Sequence, residues 1–389
     1  MNTPKLRFKE FNDEYKTYKF YDVAKLYRGS SPRPIVNFIT KSENSVNWIK
    51  IGDVSPNETY INSTSEKITK EGAKKSRRVY KGEIILSNSM SFGRPYILNL
   101  DGCIHDGWFV VRDYEKLLNK KYLYHFMGSP LIQKQYKTLS AGGVVSNISS
   151  ELVYSVKLSI PLKEEQFKVS NFLSLLDKKI ELQSKKIEDL KLFKKGFIEF
   201  EFSNSNYSEI NLKEILKERK TYSKKGLEFP HVTLSKDGIY DKTDRYNRDF
   251  LVKSDDKKYK ITYLNDLCYN PANLKFGVIC LNEYGSAIFS PIYVTFVIKN
   301  IANPKYIKYY VARNNFINAI RKYEQGTVYE RMSVAPEDFL KFSIKLPNIE
   351  IQNKFVAKLS KLDQKIELEN LKLSRYIKLK KGLMQNMFV

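Results

Sequence analysis

Residues 161–202 can be laid on residues 347–388 with a constant shift of 186 positions and no gap, and 17 of those 42 positions are identical. The densest part, Leu173-Ser174-x-Leu176-Asp177-x-Lys179-Ile180-Glu181-Leu182, returns as Leu359-Ser360-x-Leu362-Asp363-x-Lys365-Ile366-Glu367-Leu368. Further along, Lys194-Lys195-Gly196 returns as Lys380-Lys381-Gly382. Chance does not produce such a match. The 389-residue chain is a duplication, and its fold must contain two related units.

Both copies of the repeat have a helical pattern. Each follows an alternating, strand-like stretch (Val156 to Ile160; Phe342 to Leu346) and is entered through Pro161 or Pro347. Each then runs about 35 residues without another proline to Lys-Lys-Gly, where glycine suits a helix end. Leu173, Leu176, Ile180, Ile187, Leu190 and Phe197 fall on heptad a and d positions, with Gln183 and Lys194 as exceptions. The second copy repeats this with Leu359, Leu362, Ile366, Leu373, Tyr376 and Leu383, the exceptions being Glu369 and Lys380. Each copy could be a plain core helix of its own domain. The length and the matching exceptions favour two helices roughly 50 Å long that bury their narrow seams against each other as a coiled coil.

The expected layout is a segment at 1–160, a central helix at 161–202, a second segment at 203–346 and a C-terminal helix at 347–389. The two globular segments echo one another. Each holds β-type runs broken by turns, Val79 to Leu86 in the first and Lys260 to Tyr269 in the second. Each then reaches a helix-like stretch, Lys121 to Phe126 and Lys305 to Tyr310, while the loops match much less. Similar helices with divergent globules suggest one frame carrying two different readers.

The charge distribution supports that division. The chain has 67 basic and 43 acidic residues, a net charge of +24. Only 14 of the basic residues are Arg, so a genome bias toward Lys codons could inflate the total. Its placement is more telling, because residues 1–162 carry +10 and 203–347 carry +8, while the first helix is nearly neutral. Basic globules are where a polyanion would be held.

Several classes are excluded. The longest apolar run, Ile292 to Ile298, has seven residues, far short of the ~20 that cross a bilayer, so no membrane role is expected. The N-terminus lacks an apolar signal region, which makes the chain read as cytoplasmic. Cys103, Cys268 and Cys280 lie far apart, so neither a disulfide framework nor a cysteine zinc site is expected. His105, His125 and His231 lack metal-ligand spacing, and no metal is expected. No Gly-Lys-Ser/Thr loop, G-x-G-x-x-G or G-x-S-x-G occurs. Asn270-Pro271-Ala272-Asn273 is the nearest approach to an amino-methyltransferase tetrapeptide, but it lacks the aromatic residue that stacks on a flipped base. The sequence therefore points to binding rather than catalysis, with no catalytic residue.

Basic, amide and hydroxyl residues gather in loops. In the first globule the candidates for DNA contact are Arg28, Ser31, Arg33, Lys74, Lys75, Arg77, Arg78, Asn88, Ser89 and Arg94. In the second they are Lys220, Tyr222, Lys224, Lys225, Lys242, Arg245, Arg248, Gln325, Tyr329 and Arg331. Arg, Asn, Gln and Ser can read base edges, and Lys clusters hold phosphates; the sequence does not separate the two roles.

With these features together, the chain resembles the specificity subunit of a type I restriction–modification system. The duplicated helix with its entry residues Pro161, Glu164 and Gln166 (Pro347, Glu350 and Gln352) is the most specific part. Arg28-Gly29-Ser30-Ser31-Pro32 with Trp48 to Asp53, and Tyr269 to Asn273 with Ser290 to Tyr293, resemble parts of that family's target recognition domains. The resemblance implies an α+β, pseudo-two-fold molecule, with two α/β target recognition domains joined by two long helices in an antiparallel coiled coil. Each domain would read one half of a gapped double-stranded DNA target. The helices would set the gap and dock two methyltransferase subunits, with restriction (translocase) subunits joining them in phage defence. S-adenosylmethionine, ATP and Mg would then belong to the partner subunits, with no cofactor in this chain. A stand-alone DNA-binding regulator or scaffold of the same fold is the alternative.

Overall fold

The computed structural model describes residues 3–54, 58–89, 93–140, 147–203, 206–223, 228–242, 258–325 and 332–389. It divides into two units. The first holds residues 1–186 and 369–389, and the second holds 187–368. The repeat forms two continuous helices, Lys163–Ser203 and Ile349–Met387, and the unit boundary falls within each of them. Each unit is therefore a globule plus a half of either long helix, not a globule alone. No helix among the described residues is long and apolar enough to cross a membrane.

In the first unit a five-stranded sheet has the order Lys25–Arg28, Trp108–Arg112, Ile84–Ser87, Pro95–Leu98, Tyr60–Ile61. Its first four strands are antiparallel neighbours and the last pairs in parallel. A second sheet of five strands contains Gly102–Ile104 between Val46–Ile49 and Arg77–Val79. Ile84, Leu86, Phe109 and Val111 point into one core with the helix Lys120–Met127, while Ile85, Val110, Trp108 and Tyr96 face another with Ile49 and Ile104. That division follows from the period of two along a strand. Both faces are covered there, so the central strands are apolar from Ile84 to Leu86 and from Trp108 to Val111.

The second unit repeats the frame. Leu216–Glu218, Val294–Ile298, Leu267–Tyr269 and Ile279–Leu281 form an antiparallel sheet in the same order. Its helix Pro304–Val311 is the counterpart of Lys120–Met127, and Asn303 caps it as Asn119 caps the first. The strand-like runs of the sequence are each divided in two. Val79 to Leu86 breaks at Gly82, whose φ is +90°, and Lys260 to Tyr269 breaks at Asn265, whose φ is +68°. The stretches ahead of the two prolines are strands, Lys157–Ile160 and Ser343–Lys345. They pair antiparallel with Lys16–Lys19 and Glu209–Asn211 respectively.

The helix entry motif has a structural role. In the first unit the Gln166 side chain, 1% exposed, accepts a hydrogen bond from the Asn119 amide at 2.8 Å. Its own Nε2 donates to the carbonyls of Leu117 (2.9 Å) and Pro161 (3.0 Å). In the second unit Gln352 accepts from Asn303 N–H at 2.7 Å and donates to the carbonyls of Ile301 (3.2 Å) and Pro347 (2.8 Å). Each glutamine thus fastens a long helix to the start of the small helix beside it.

Leu173, Ile187 and Leu359 are buried, and Leu176, Ile180, Leu190, Leu362, Ile366, Leu373 and Tyr376 are half-buried. The exceptions Gln183 and Glu369 meet each other, the exceptions Lys194 and Lys380 each meet an aspartate of the facing helix, and the paired stretches run antiparallel. In the first unit Gln183 donates to the Glu369 carboxylate at 2.7 Å, Lys186 reaches the same carboxylate at 3.0 Å, and Lys380 pairs with Asp177. In the second unit Lys194 pairs with Asp363, the counterpart of Asp177 in the repeat. The helix-end expectation for Lys-Lys-Gly is corrected, because both helices continue through Gly196 and Gly382. Beyond Gly196, Phe197 stacks on Phe355 and Phe202 meets it edge-on, and beyond Gly382, Phe388 packs on Tyr122 and Phe126. Aromatic burial there outweighs the ~1 kcal/mol that a mid-helix glycine costs.

Candidate nucleic-acid interface

In the first unit, residues from separate loops converge on the turn His105-Asp106-Gly107. The strand ending at Arg28 pairs with the strand beginning at Trp108, which brings the two loops together. Gly29 then crosses the turn so closely that a Cβ built there would lie 2.0 Å from the His105 carbonyl oxygen. Any side chain at that position would force the loops apart. Ser31 Oγ donates to the Asp106 carboxylate at 2.5 Å, and the exposed Arg33 guanidinium lies 3.8 Å from its other oxygen. Arg28 Nε and Asn88 Nδ2 both donate to the Asp106 backbone carbonyl, at 3.2 and 2.8 Å. The Ser31 hydrogen bond, helped by the nearby His105 and Arg33, holds the Asp106 carboxyl below the usual range.

The loop 74–78 is tied to the same place. Ser30 Oγ donates to the Lys75 carbonyl at 3.2 Å, Ser76 Oγ to the Ser30 carbonyl at 2.6 Å, and Arg77 Nε to the Arg28 carbonyl at 3.1 Å. Lys74, Lys75, Arg77 and Arg78 are exposed, with Lys75 over the Phe38 ring and Arg77 over Tyr27. Ser89 and Arg94 are half-buried. Asn88 departs from the expectation of a base reader. It is 3% exposed, and its amide is spent on the Asp106 carbonyl, so it shapes the turn from beneath. Asp106 itself was invisible in the sequence, where Asp-Gly reads only as a turn.

In the second unit, Lys220 and Tyr222 are exposed at the beginning of a short strand. Tyr222 lies opposite Lys260, whose buried ammonium sits 5.7 Å from the Tyr222 ring and 3.2 Å from Glu218. Glu218 also faces Lys220 at 3.3 Å, so one carboxylate is shared by two lysines. The neighbouring Tyr259 ring packs edge-on to His231 at 4.7 Å, and the Lys242 amide donates to the His231 carbonyl at 3.0 Å. Lys220, Tyr222 and Lys242 are thus linked through adjacent strands. Gln325 is committed elsewhere, its Nε2 donating to Asp338 at 2.8 Å. Gln325 itself is exposed. Lys224, Lys225, Arg245, Arg248, Tyr329 and Arg331 lie outside the described residues.

Nothing in these surfaces resembles a catalytic constellation, and no group of His, Cys, Asp or Glu among the described residues could hold a metal. The exposed cations, hydroxyls and rings can accept a polyanion and hydrogen-bond to base edges.

Comparison with known proteins agrees with the architecture. Residues 12–192 match the type I restriction modification DNA specificity domain. The specificity subunit of the type I restriction enzyme MjaIX from Methanocaldococcus jannaschii is 26% identical over 203 residues, covering 50% of this chain and 46% of that protein. The EcoR124I/EcoR124II specificity subunit from Escherichia coli is 29% identical over 186 residues, covering 44% of this chain and 43% of that one. The match thus spans about half the length of these relatives. Among solved structures, a chain from work on complex assembly and conformational transition of the type I R-M system aligns with a TM-score of 0.61 and 14% identity. It covers 96% of this chain and 97% of its own. The type I restriction–modification S subunit of M. genitalium aligns over 100% of this chain and 99% of its own, with a TM-score of 0.55 and 14% identity. At that identity the structures speak for the fold. Residues 12–192 therefore match the DNA specificity domain of type I restriction–modification systems, within a chain that shares its fold with the solved structures from those systems.

Proposed function

We propose that this chain is a DNA-reading subunit of a type I restriction–modification complex, and that it recognises a gapped double-stranded target. Each globule reads one half of the target. The long helices set the unread gap and carry two methyltransferase subunits, which restriction subunits join. In this reading the chain does no chemistry, and S-adenosylmethionine, ATP and Mg act on the partner subunits. The observation that carries it is the repetition of one frame, sheet and fastening glutamine included, under two loop sets that differ. A repeated frame with different loops suits two unlike half-sites on one duplex.

The test is a genome-wide map of methylated adenines in the source strain with and without the gene. Loss of one gapped motif is the expected result. A map that does not change, together with tight binding of the purified chain to a single site, would instead establish a stand-alone regulator.

A further inference from the structure

An aspartate inside a surface meant for a polyanion is costly, because it repels the phosphates that the surrounding cations attract. Asp106 sits in that position. Its backbone carbonyl already serves Arg28 and Asn88, and those two bonds need no particular side chain. The carboxylate has different partners. One oxygen takes the Ser31 hydroxyl at 2.5 Å, and the other faces the Arg33 guanidinium at 3.8 Å. The Arg33 side chain is 83% exposed and the Asp106 side chain 47% exposed, so the pair stands at the surface. A surface pair of this kind adds little to stability. Its geometry has another use, since at 3.8 Å the carboxylate attracts the guanidinium to this side of the turn without forming a hydrogen bond, so every guanidinium N–H stays available to donate. A guanidinium so presented matches the O6 and N7 acceptors of guanine in the major groove. The adjacent carboxylate disfavours a phosphate at the same spot and can accept from the N4 amino group of the paired cytosine.

We infer that Arg33 and Asp106 together read a G·C pair in the half-site of the first globule, with Asp106 the positioning residue for Arg33. This rests on the DNA-reading function proposed above. Ser31 ties the carboxylate to the loop that carries Arg33, so the hydroxyl sets the height of the pair over the turn. The backbone bonds of Arg28 and Asn88 hold the turn itself.

The test is selection of bound duplexes from a randomised DNA pool by the full chain, for the wild type, Asp106→Asn, Arg33→Ala and Arg33→Lys. Asp106→Asn keeps an acceptor for Ser31 and both backbone bonds, and Arg33 is too exposed to support the fold. The expected wild-type motif has a G·C pair in one half-site. That preference should fall at least tenfold in Asp106→Asn and in both Arg33 variants, with the other half-site and the gap unchanged. A purely structural Asp106 would weaken every position of the motif together, which would overturn the inference. A motif identical in all four proteins would overturn it as well. A wild-type chain that enriches no motif would remove the DNA-reading function and this inference with it.

Discussion

Gln166 and Gln352 each satisfy one amide and two carbonyls at a point where three chain segments meet and little water can reach. Leaving such groups buried and unpaired costs about 1–3 kcal/mol apiece. Gln166→Ala should therefore destabilise the first unit by about 3 kcal/mol in urea denaturation, and Gln352→Ala the second by a similar amount. Hydrogen exchange would locate each loss. A loss of under about 0.5 kcal/mol would mean that water takes over the role of the amide.

His125 provides a second prediction at this scale. It is buried against the first long helix, with Ser174 at 3.2 Å, Asp177 at 3.7 Å, and the Lys380 and Lys121 ammoniums acting on it. Burial, aided by those two lysines, pushes its pKa down to about 3, and burial likewise pushes Asp177 up. The unfolded chain takes up a proton near pH 6.5 and the folded one does not. Stability from this residue is thus intact above pH 6.5 and declines as the pH falls toward 3, by about 1.4 kcal/mol per unit. In the second unit Tyr309 stands in this place and donates to Asp363 at 2.9 Å. His125→Tyr should copy that bond and remove the acid sensitivity. Between pH 6.5 and 5.0 the wild type should lose about 1.6 kcal/mol more than the variant. Equal losses would show that another group titrates.

Among the elements, the long helices were the most legible in the sequence, because an apolar period of 3.5 sustained over many turns fits a paired helix and fits neither a strand nor a loop. The polar exceptions were visible too, but not their pairing. Lys380 with Asp177 and Lys194 with Asp363 are one contact written twice, and such pairs fix helix register more than they add stability. The helix ends were not legible. Gly196 and Gly382 have the local signal of a stop, and only tertiary contacts of Phe197, Phe202 and Phe388 account for the helix going on. These pairs also dictate how a spacer should be shortened. Deleting 184–190 and 370–376 together removes one heptad from each helix and keeps both lysine–aspartate pairs in register. Each helix shortens by about 10 Å, so the gap between half-sites should shrink by about three base pairs. Sequencing the methylated motif reads the gap directly. An unchanged gap, or a change in either half-site, would count against the helices as spacers.

At the scale of the whole molecule, duplication fixes the frame and leaves the loops free. The frame was readable because buried strands and seams obey simple periods, and both copies obey the same ones. The reading surface was not, because a loop's role depends on what crosses it. Asn88 and Gln325 have the right chemistry for base contact, yet one lies under a turn and the other is held by Asp338. Asp106 has the wrong charge for a DNA surface, yet Arg28, Ser31, Arg33 and Asn88 all reach it. Divergence of the loops on a common frame has a measurable consequence, because each surface should answer for its own half of the target. Arg77 and Arg78 are exposed in the first unit, and Lys220 and Tyr222 in the second. Arg77→Ala with Arg78→Ala should weaken binding, or relax the sequence read, in one half-site only. Each lost phosphate contact should also lower the salt dependence of binding by about one unit of log–log slope. Lys220→Ala with Tyr222→Ala should do the same to the other half-site. If both pairs act on the same half-site, the two globules do not divide the target between them. The repeat would then serve assembly, and recognition would belong to one unit alone.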